Sequence, residues 1–446
     1  MRKIVFVLVV GLVSAVAAGC GGGSSGGSTS ASAKFDAKKP VTLTVWSGFT
    51  ERELGIWNRA LAGFHKLHPN VKIKSVGSID NNKIVAGIRS GNPPDVALSF
   101  ETDKTGAFCS SGGWINLDGL IKRDNVDMNQ FPKAVQNYSK FGDKRCAMPV
   151  LADTYGLYYN KDMFKKAGIT SPPKTFSELT ADAKKLTQRN SDGSIKVAGF
   201  VPNEGFYENA AAHQGPLWDG QWIDNKGKST LATSPGWARW LTWDKNLVDW
   251  YGHDKLQRFI AGAGQEFSPQ NAFERGKVAM VLDGEYRTAF IKAEHPELNY
   301  GTAPMPVDDA HPELYGGGYV VGNTVGIPKG AKNQAAAWEL TKYLATSTPP
   351  LVTLADGLGN VPTTAASAKA ATVVKEPRFQ TFVKIFDDPH TATNPLVASG
   401  DADQLALKAF AAKWEAGKVP DLHAGLQAVD KQIDAQLANA TAGTAP

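Results

Sequence analysis

Acidic side chains stand beside aromatic ones at two places in this chain. Asp153 lies two residues before Tyr155 in LADTYGLYYN (151–160), and Asp283 is followed by Glu285, Tyr286 and Arg287 at the end of KVAMVLDGEYR (277–287). Glu101 and Thr102 follow the apolar run VALSF. Carboxylates accept hydrogen bonds and aromatic rings cover apolar C–H faces, so the combination suits a ligand with hydroxyls around its edge and a C–H face, which describes a sugar. Glu101, Asp153 and Asp283 would supply acceptors, and Tyr155, Trp218 and Tyr286 the rings. Core packing is the alternative for Trp218, since large aromatics are buried on average. Glu51, Thr102, Arg287 and Gly317 complete the candidate ligand-binding set, and Arg287 alone does not make an anion site.

A glycoside hydrolase would also combine carboxylates with aromatics, but it needs two carboxyl groups about 5 to 9.5 Å apart across the bond. Asp283 and Glu285 are the nominal pair, and an acidic pair two residues apart on a turn is common. The chain has no H-E-x-x-H and no Walker loop to support a reaction. The eight histidines are dispersed, and DNVDMN (124–129) lacks the glycine and terminal glutamate of a calcium loop, so it reads as solvated surface. No catalytic residue, metal or cofactor is expected.

These side chains belong to an exported body. Arg2 and Lys3 precede an uncharged apolar run, Ile4 to Ala18, too short for the roughly 20 residues that cross a bilayer. Small residues then lead to Cys20. The stretch resembles a bacterial lipobox, with Ala17 where such boxes usually carry leucine; the resemblance implies a signal peptide over 1–19 and a lipid on Cys20. Residues 20–33 carry no charge and no large apolar side chain, which predicts a flexible tether reaching to about residue 38. The two other thiols, Cys109 and Cys146, can pair in an oxidising compartment; two separate buried thiols are the alternative.

The formal net charge is +5, with no basic run of the kind that binds nucleic acid and no second apolar stretch long enough to span a membrane. A chain of 446 residues exceeds one comfortable core, so two lobes are the default. VTLTVW (41–46), VKIKSV (71–76) and the run after Pro93-Pro94-Asp95 read as strands. Between them, apolar spacing predicts helices after Thr50, with Glu53 completing a capping box, and over 82–91. Alternating strands and helices predict an α/β lobe whose ligands gather at the carboxyl ends of the strands. Thr175 with Glu178 and Ser234 with Pro235 open two further helices; others are expected at 332–346, 377–386, 402–416 and 423–439.

Five strings, FHKLHPNVKI, SGNPPDV, YGLYYNKDMFKKAGITSPPKTFSEL, AFERGKVAMVLDG and IPKGAKNQAAAWELTKYL, resemble, in that order, the extracellular solute-binding proteins of ABC sugar importers, the maltose-binding type. They span roughly residues 40–350, and GLGNVPTT extends the likeness weakly toward the C-terminus. The resemblance implies a two-lobed periplasmic-binding-protein-like α/β fold, each lobe a mainly parallel sheet flanked by helices, with a hinge between. Lobe 1 would comprise 39–150 and 319–362, lobe 2 151–318 and 363–446. It further implies a monomer, anchored on the outer face of the cytoplasmic membrane, that closes on a carbohydrate and delivers it to a permease. Asp153 and Tyr286 match positions where this family commonly has a hydrogen-bonding acid and a stacking ring. Disaccharides, longer oligosaccharides, amino sugars and phosphorylated polyols all fit the resemblance. A surface lipoprotein using the same body as an interaction platform is a further reading, since fold does not fix function.

Overall fold

Leu43 and Val45 of VTLTVW are fully buried while their neighbours are partly open, and this alternation makes the strand β1 (Val41–Trp46). In the computed structural model, which describes residues 34–440, β1 pairs in parallel with β2 (Val71–Val76) and with β3 (Val96–Ser99). Parallel neighbours need long crossovers. Helices α1 (Glu51–Leu67) and α2 (Asn81–Arg89) supply them, and Trp57 and Phe64 of α1 are fully buried. Thr50 stands at the N-cap of α1 without making a side-chain capping bond, so the expected capping box is not closed there. At the second predicted box, Glu178 N donates to Thr175 Oγ1 at 3.3 Å, while the Glu178 carboxylate accepts from Lys174 N at 2.6 Å, one residue early. Asp95 ties the start of β3 down by accepting from Thr44 N at 2.9 Å and Asn333 N at 3.0 Å.

The longest strand among the described residues is β4 (Ala147–Asn160). A short hairpin, β5 (Gln188–Arg189) with β6 (Ile195–Val197), follows it, and then come β7 (Met280–Gly284), β8 (Tyr300–Ala303), β9 (Val320–Gly326) and β10 (Val361–Pro362). The first part of β4, to Thr154, pairs with β9 and β10; from Tyr155 onward it pairs with β7 and β8. One strand therefore serves both halves of the molecule, in the sheet order β10-β4-β9-β3-β1-β2, and changes partners between Thr154 and Tyr155. The architecture is α/β and two-lobed, but its sheet is mixed where a mainly parallel one was expected. Only β1–β2 and β1–β3 are parallel among the pairings in this sheet. Local alternation sets which residues form strands; the route of the chain sets their direction, and β9 returns between β3 and β4 antiparallel to both.

Helix Pro235–Tyr251 buries Trp237 and Trp240 in the second half and packs on helix Ala402–Glu415, which packs in turn on helix Leu422–Asn439. Helix Ala365–Ala370, expected in lobe 2, packs instead on helix Thr348–Leu358 and β10. Cys109 and Cys146 are joined by a disulfide that ties helix α3 (Lys104–Ser110) to the approach to β4. DNVDMN is less solvated than expected. Asp124 accepts from Trp338 Nε1 at 2.7 Å and pairs with Arg123 and Lys342. Among the described residues no helix is long and apolar enough to cross a membrane. The proposed signal peptide, Cys20 and most of the tether lie outside the described residues.

Candidate functional site

At the partner change in β4, an acid–amide network forms. Asp153 accepts from Asn360 Nδ2 on one oxygen and from Asn323 Nδ2, at 3.4 Å, on the other. Asn360 also donates to Glu285 Oε1 at 3.1 Å, and Glu285 Oε2 accepts the Thr154 amide at 2.7 Å. Glu285 is fully buried and Asp153 partly so. Burial pushes the Asp153 carboxyl up to about 6, with the neighbouring Glu208 adding to the effect. Burial and the charge of Asp153 raise Glu285 as well.

Beside this network three rings converge. Tyr155 stacks on His213 at 4.0 Å between centroids, and Tyr319 lies 4.8 Å from His213 and 5.9 Å from Tyr155. Burial lowers His213 to about 4, so the ring is neutral at pH 7, and its Nδ1 bonds the Glu208 carbonyl. The Glu208 carboxylate, 18% exposed, accepts from the Tyr286 hydroxyl at 2.5 Å. Asp153, Tyr155 and Tyr286, singled out in the sequence, are thus brought to one region, because Tyr155 pairs with Gly284 across β4 and β7.

The other candidates are placed differently. Asp283 and Arg287 face each other at 2.7 Å, and Arg287 also pairs with Glu274 at 3.1 Å; all three side chains are buried. The guanidinium lies over Phe267 and Phe290, 5.5 and 5.1 Å from their centroids. The same two rings lie 5.8 and 6.5 Å from the Tyr286 ring, and the paired charges are closed to solvent. Trp218 stacks on Phe176 at 4.3 Å and is 3% exposed, so it packs in the core of the second half instead of lining an opening. Gly317 passes so close to His390 that a Cβ would sit 2.8 Å from the His390 Cβ. Glu51, at φ 41°, opens α1 after β1, and Glu101 is exposed after β3, both at carboxyl strand ends. Thr102 is fully buried and its hydroxyl has no partner.

Sequence reasoning missed Glu208, His213, Tyr319, Asn323 and Asn360 as participants. Asn360 sits in GLGNVPTT, a string visible in the sequence, but Glu208 depends on Tyr207 adopting φ 52°, a left-handed conformation that no local signal announces. Next to the ring cluster, whose Tyr319 hydroxyl is 3.5 Å from Asn394 Nδ2, opens a cavity of about 660 Å³. Asn137 and Lys140 line it from the first half, Asp219, Gln221 and Trp222 from the second, and Asn394 joins them. Its size suits a small-molecule ligand. Among the described residues no group of three or more His, Cys, Asp or Glu is placed to hold a metal ion.

The family profile described as bacterial extracellular solute-binding protein matches residues 50–348. A binding protein of Brucella abortus (strain 2308) is 31% identical over 263 residues, 59% of this chain and 61% of that relative, so the chain spans less than two thirds of its length. The maltotriose-binding protein of Pyrococcus abyssi is 22% identical over 327 residues, 72% of this chain and 66% of that one. Among solved structures, CpMnBP1 with mannotriose bound is similar at a TM-score of 0.78 and 26% identity, over 88% of this chain and 99% of that chain.

Proposed function

Because this chain belongs to the bacterial extracellular solute-binding proteins, we propose that it captures an oligosaccharide between its lobes and delivers it to an ABC import permease. The observation that carries this reading is the place where β4 changes partners. There Asp153 and Glu208 offer partly open acceptors, the half-buried Tyr286 offers a ring with the buried pair Tyr155 and Tyr319 nearby, and a cavity lined from both halves reaches Asn394, the neighbour of the Tyr319 hydroxyl. Acceptors satisfy sugar hydroxyls and rings cover the C–H face. Closure of the two halves about β4 would sequester the solute and form the surface that a permease reads.

The chain acts by binding and performs no reaction in this account. It is anchored through lipid on Cys20, the residue at which its apolar leader ends. Changing Cys20 to Ala should release the protein from membrane fractions with binding retained; continued sedimentation with membranes would remove the anchor from the account.

A melting-temperature screen against mono-, di- and oligosaccharides tests the capture itself. A ligand present at a hundred times its dissociation constant stabilises by about 2.7 kcal/mol. A selective rise with one class of sugar is expected, and prolonged incubation should leave that sugar uncleaved. No rise with any sugar, or shorter products, would contradict the proposal.

A further inference from the structure

Asp103 and Asp403 belong to opposite halves of the molecule: Asp103 immediately precedes α3, and Asp403 lies in the first turn of helix Ala402–Glu415. Asp403 is 1% exposed, and neither of its carboxyl oxygens has a hydrogen-bond partner; Asp103 Oδ1 is buried without one too. The Thr102 and Ser399 hydroxyls nearby in the chain are also unpartnered. The adjacent cation is already committed, since Lys104 pairs with Asp401 at 2.5 Å. Tyr319 feels four carboxyls at once, Asp103, Asp403, Glu208 and Asp153, and its ring belongs to the cluster with His213 and Tyr155. Among the described residues no lysine or arginine forms an ion pair with any of these four acids; Arg287 is held by Asp283 and Glu274.

An aromatic ring close enough to feel these carboxyls, whose one neighbouring cation, Lys104, is taken up by Asp401, is arranged to receive a positive charge. Desolvated carboxylates are costly unless paired, and the face of an aromatic ring attracts an ammonium group. We propose that the captured solute carries a protonated amino group, as an amino-sugar unit of an oligosaccharide, seated between Asp103 and Asp403 with Tyr319 as one wall. This rests on the sugar-capture reading above and adds the charge of the sugar. The groups facing the acid pair are Glu101, Asp401, Lys104, Gln404 and Tyr319. Burial pushes Asp103 to about 6, against a hydrogen bond with Gln404, and burial with the charge of Asp103 pushes Asp403 to about 7. An arriving ammonium favours their ionised forms, so binding near pH 7 releases protons.

The test is calorimetric titration at pH 7, in two buffers of different ionisation heat, with three probes: a β-1,4-linked glucosamine trimer, its fully N-acetylated counterpart and mannotriose. The amine trimer is expected to bind about tenfold or more tighter than its N-acetylated form and to release protons. Asp403→Asn, which keeps shape and removes the charge, should abolish that preference, with its melting curve checking the fold. Tyr319→Phe is the second variant and should retain the preference, because the ring remains. Equal or tighter binding of the N-acetylated trimer or mannotriose, without proton release, overturns the amine inference and leaves sugar capture standing. Failure of all three probes to bind, alongside a melting screen without any responding sugar, overturns both.

Discussion

Asp153 is held by two asparagines from different segments, Asn323 in β9 and Asn360 just before β10, so its orientation depends on both chain returns to the first half. Removing it should leave one sugar hydroxyl unpaired in a closed site, which costs about 1 to 3 kcal/mol. Asp153→Ala is therefore expected to weaken the cognate sugar by that amount in calorimetric titration, and to weaken a sugar lacking the bonded hydroxyl less. Tyr286→Ala should lose ring contact worth about 0.5 to 1.5 kcal/mol beyond buried area. Unchanged affinity in both variants, with intact melting curves, would place the ligand elsewhere. At this scale the sequence made Asp153, Tyr155 and Tyr286 legible because each sits within a recognisable string, Tyr286 just past the end of β7. It could not separate an acid that faces an opening from one spent inside. Asp283 and Arg287 looked like site residues and prove to be each other's partners, four residues apart on one turn.

Element-scale features divide in the same way. The first three strands and their helices were legible from alternation and apolar spacing, whereas β9 and β10 were not, because their pairing with β4 joins residues far apart in the chain. The Cys109–Cys146 disulfide closes a loop with a sequence separation of 37. In the chain-entropy account such a loop is worth about 4 kcal/mol, so Cys109→Ser with Cys146→Ser should lower the melting temperature while leaving the lobes folded; no change would show that the bridge carries no stability. Helix Pro235–Tyr251 meets helix Ala402–Glu415 through buried acids: Asp244 is fully buried against Glu415 with no other hydrogen-bond partner, and Glu415 accepts from Asn203 at 2.6 Å and the Glu204 amide at 2.7 Å. Burial raises Asp244 and Glu415 and pushes Glu204 up to about 7. A carboxyl raised in the folded state holds a proton that the unfolded chain releases, so stability is greatest below the ordinary carboxyl range and falls as pH rises from about 4 toward 7. Asp244→Asn should flatten this decline, raising the melting temperature at pH 8 relative to the parent with little change at pH 4.5. Parallel curves for parent and variant would contradict the assignment.

For the whole molecule, capture requires that the halves move about β4 and come together on the solute. The two halves touch where α3 meets the segment before helix Ala402–Glu415: Gly106 lies so close to Val397 that a Cβ would sit 2.1 Å from its carbonyl oxygen, with Lys104 paired to Asp401 alongside. No local pattern in the sequence marks Gly106, because the need for a missing side chain comes from the opposite half. Gly106→Ala should disfavour this contact and weaken sugar binding by about tenfold, or roughly 1.4 kcal/mol, through the population of the closed form. The most direct test of interlobe capture is small-angle X-ray scattering of the purified protein with and without the sugar that raises its melting temperature. Closure predicts a smaller radius of gyration at saturating sugar, with Gly106→Ala needing more sugar to reach it; an unchanged radius at proven saturation would contradict closure on the solute.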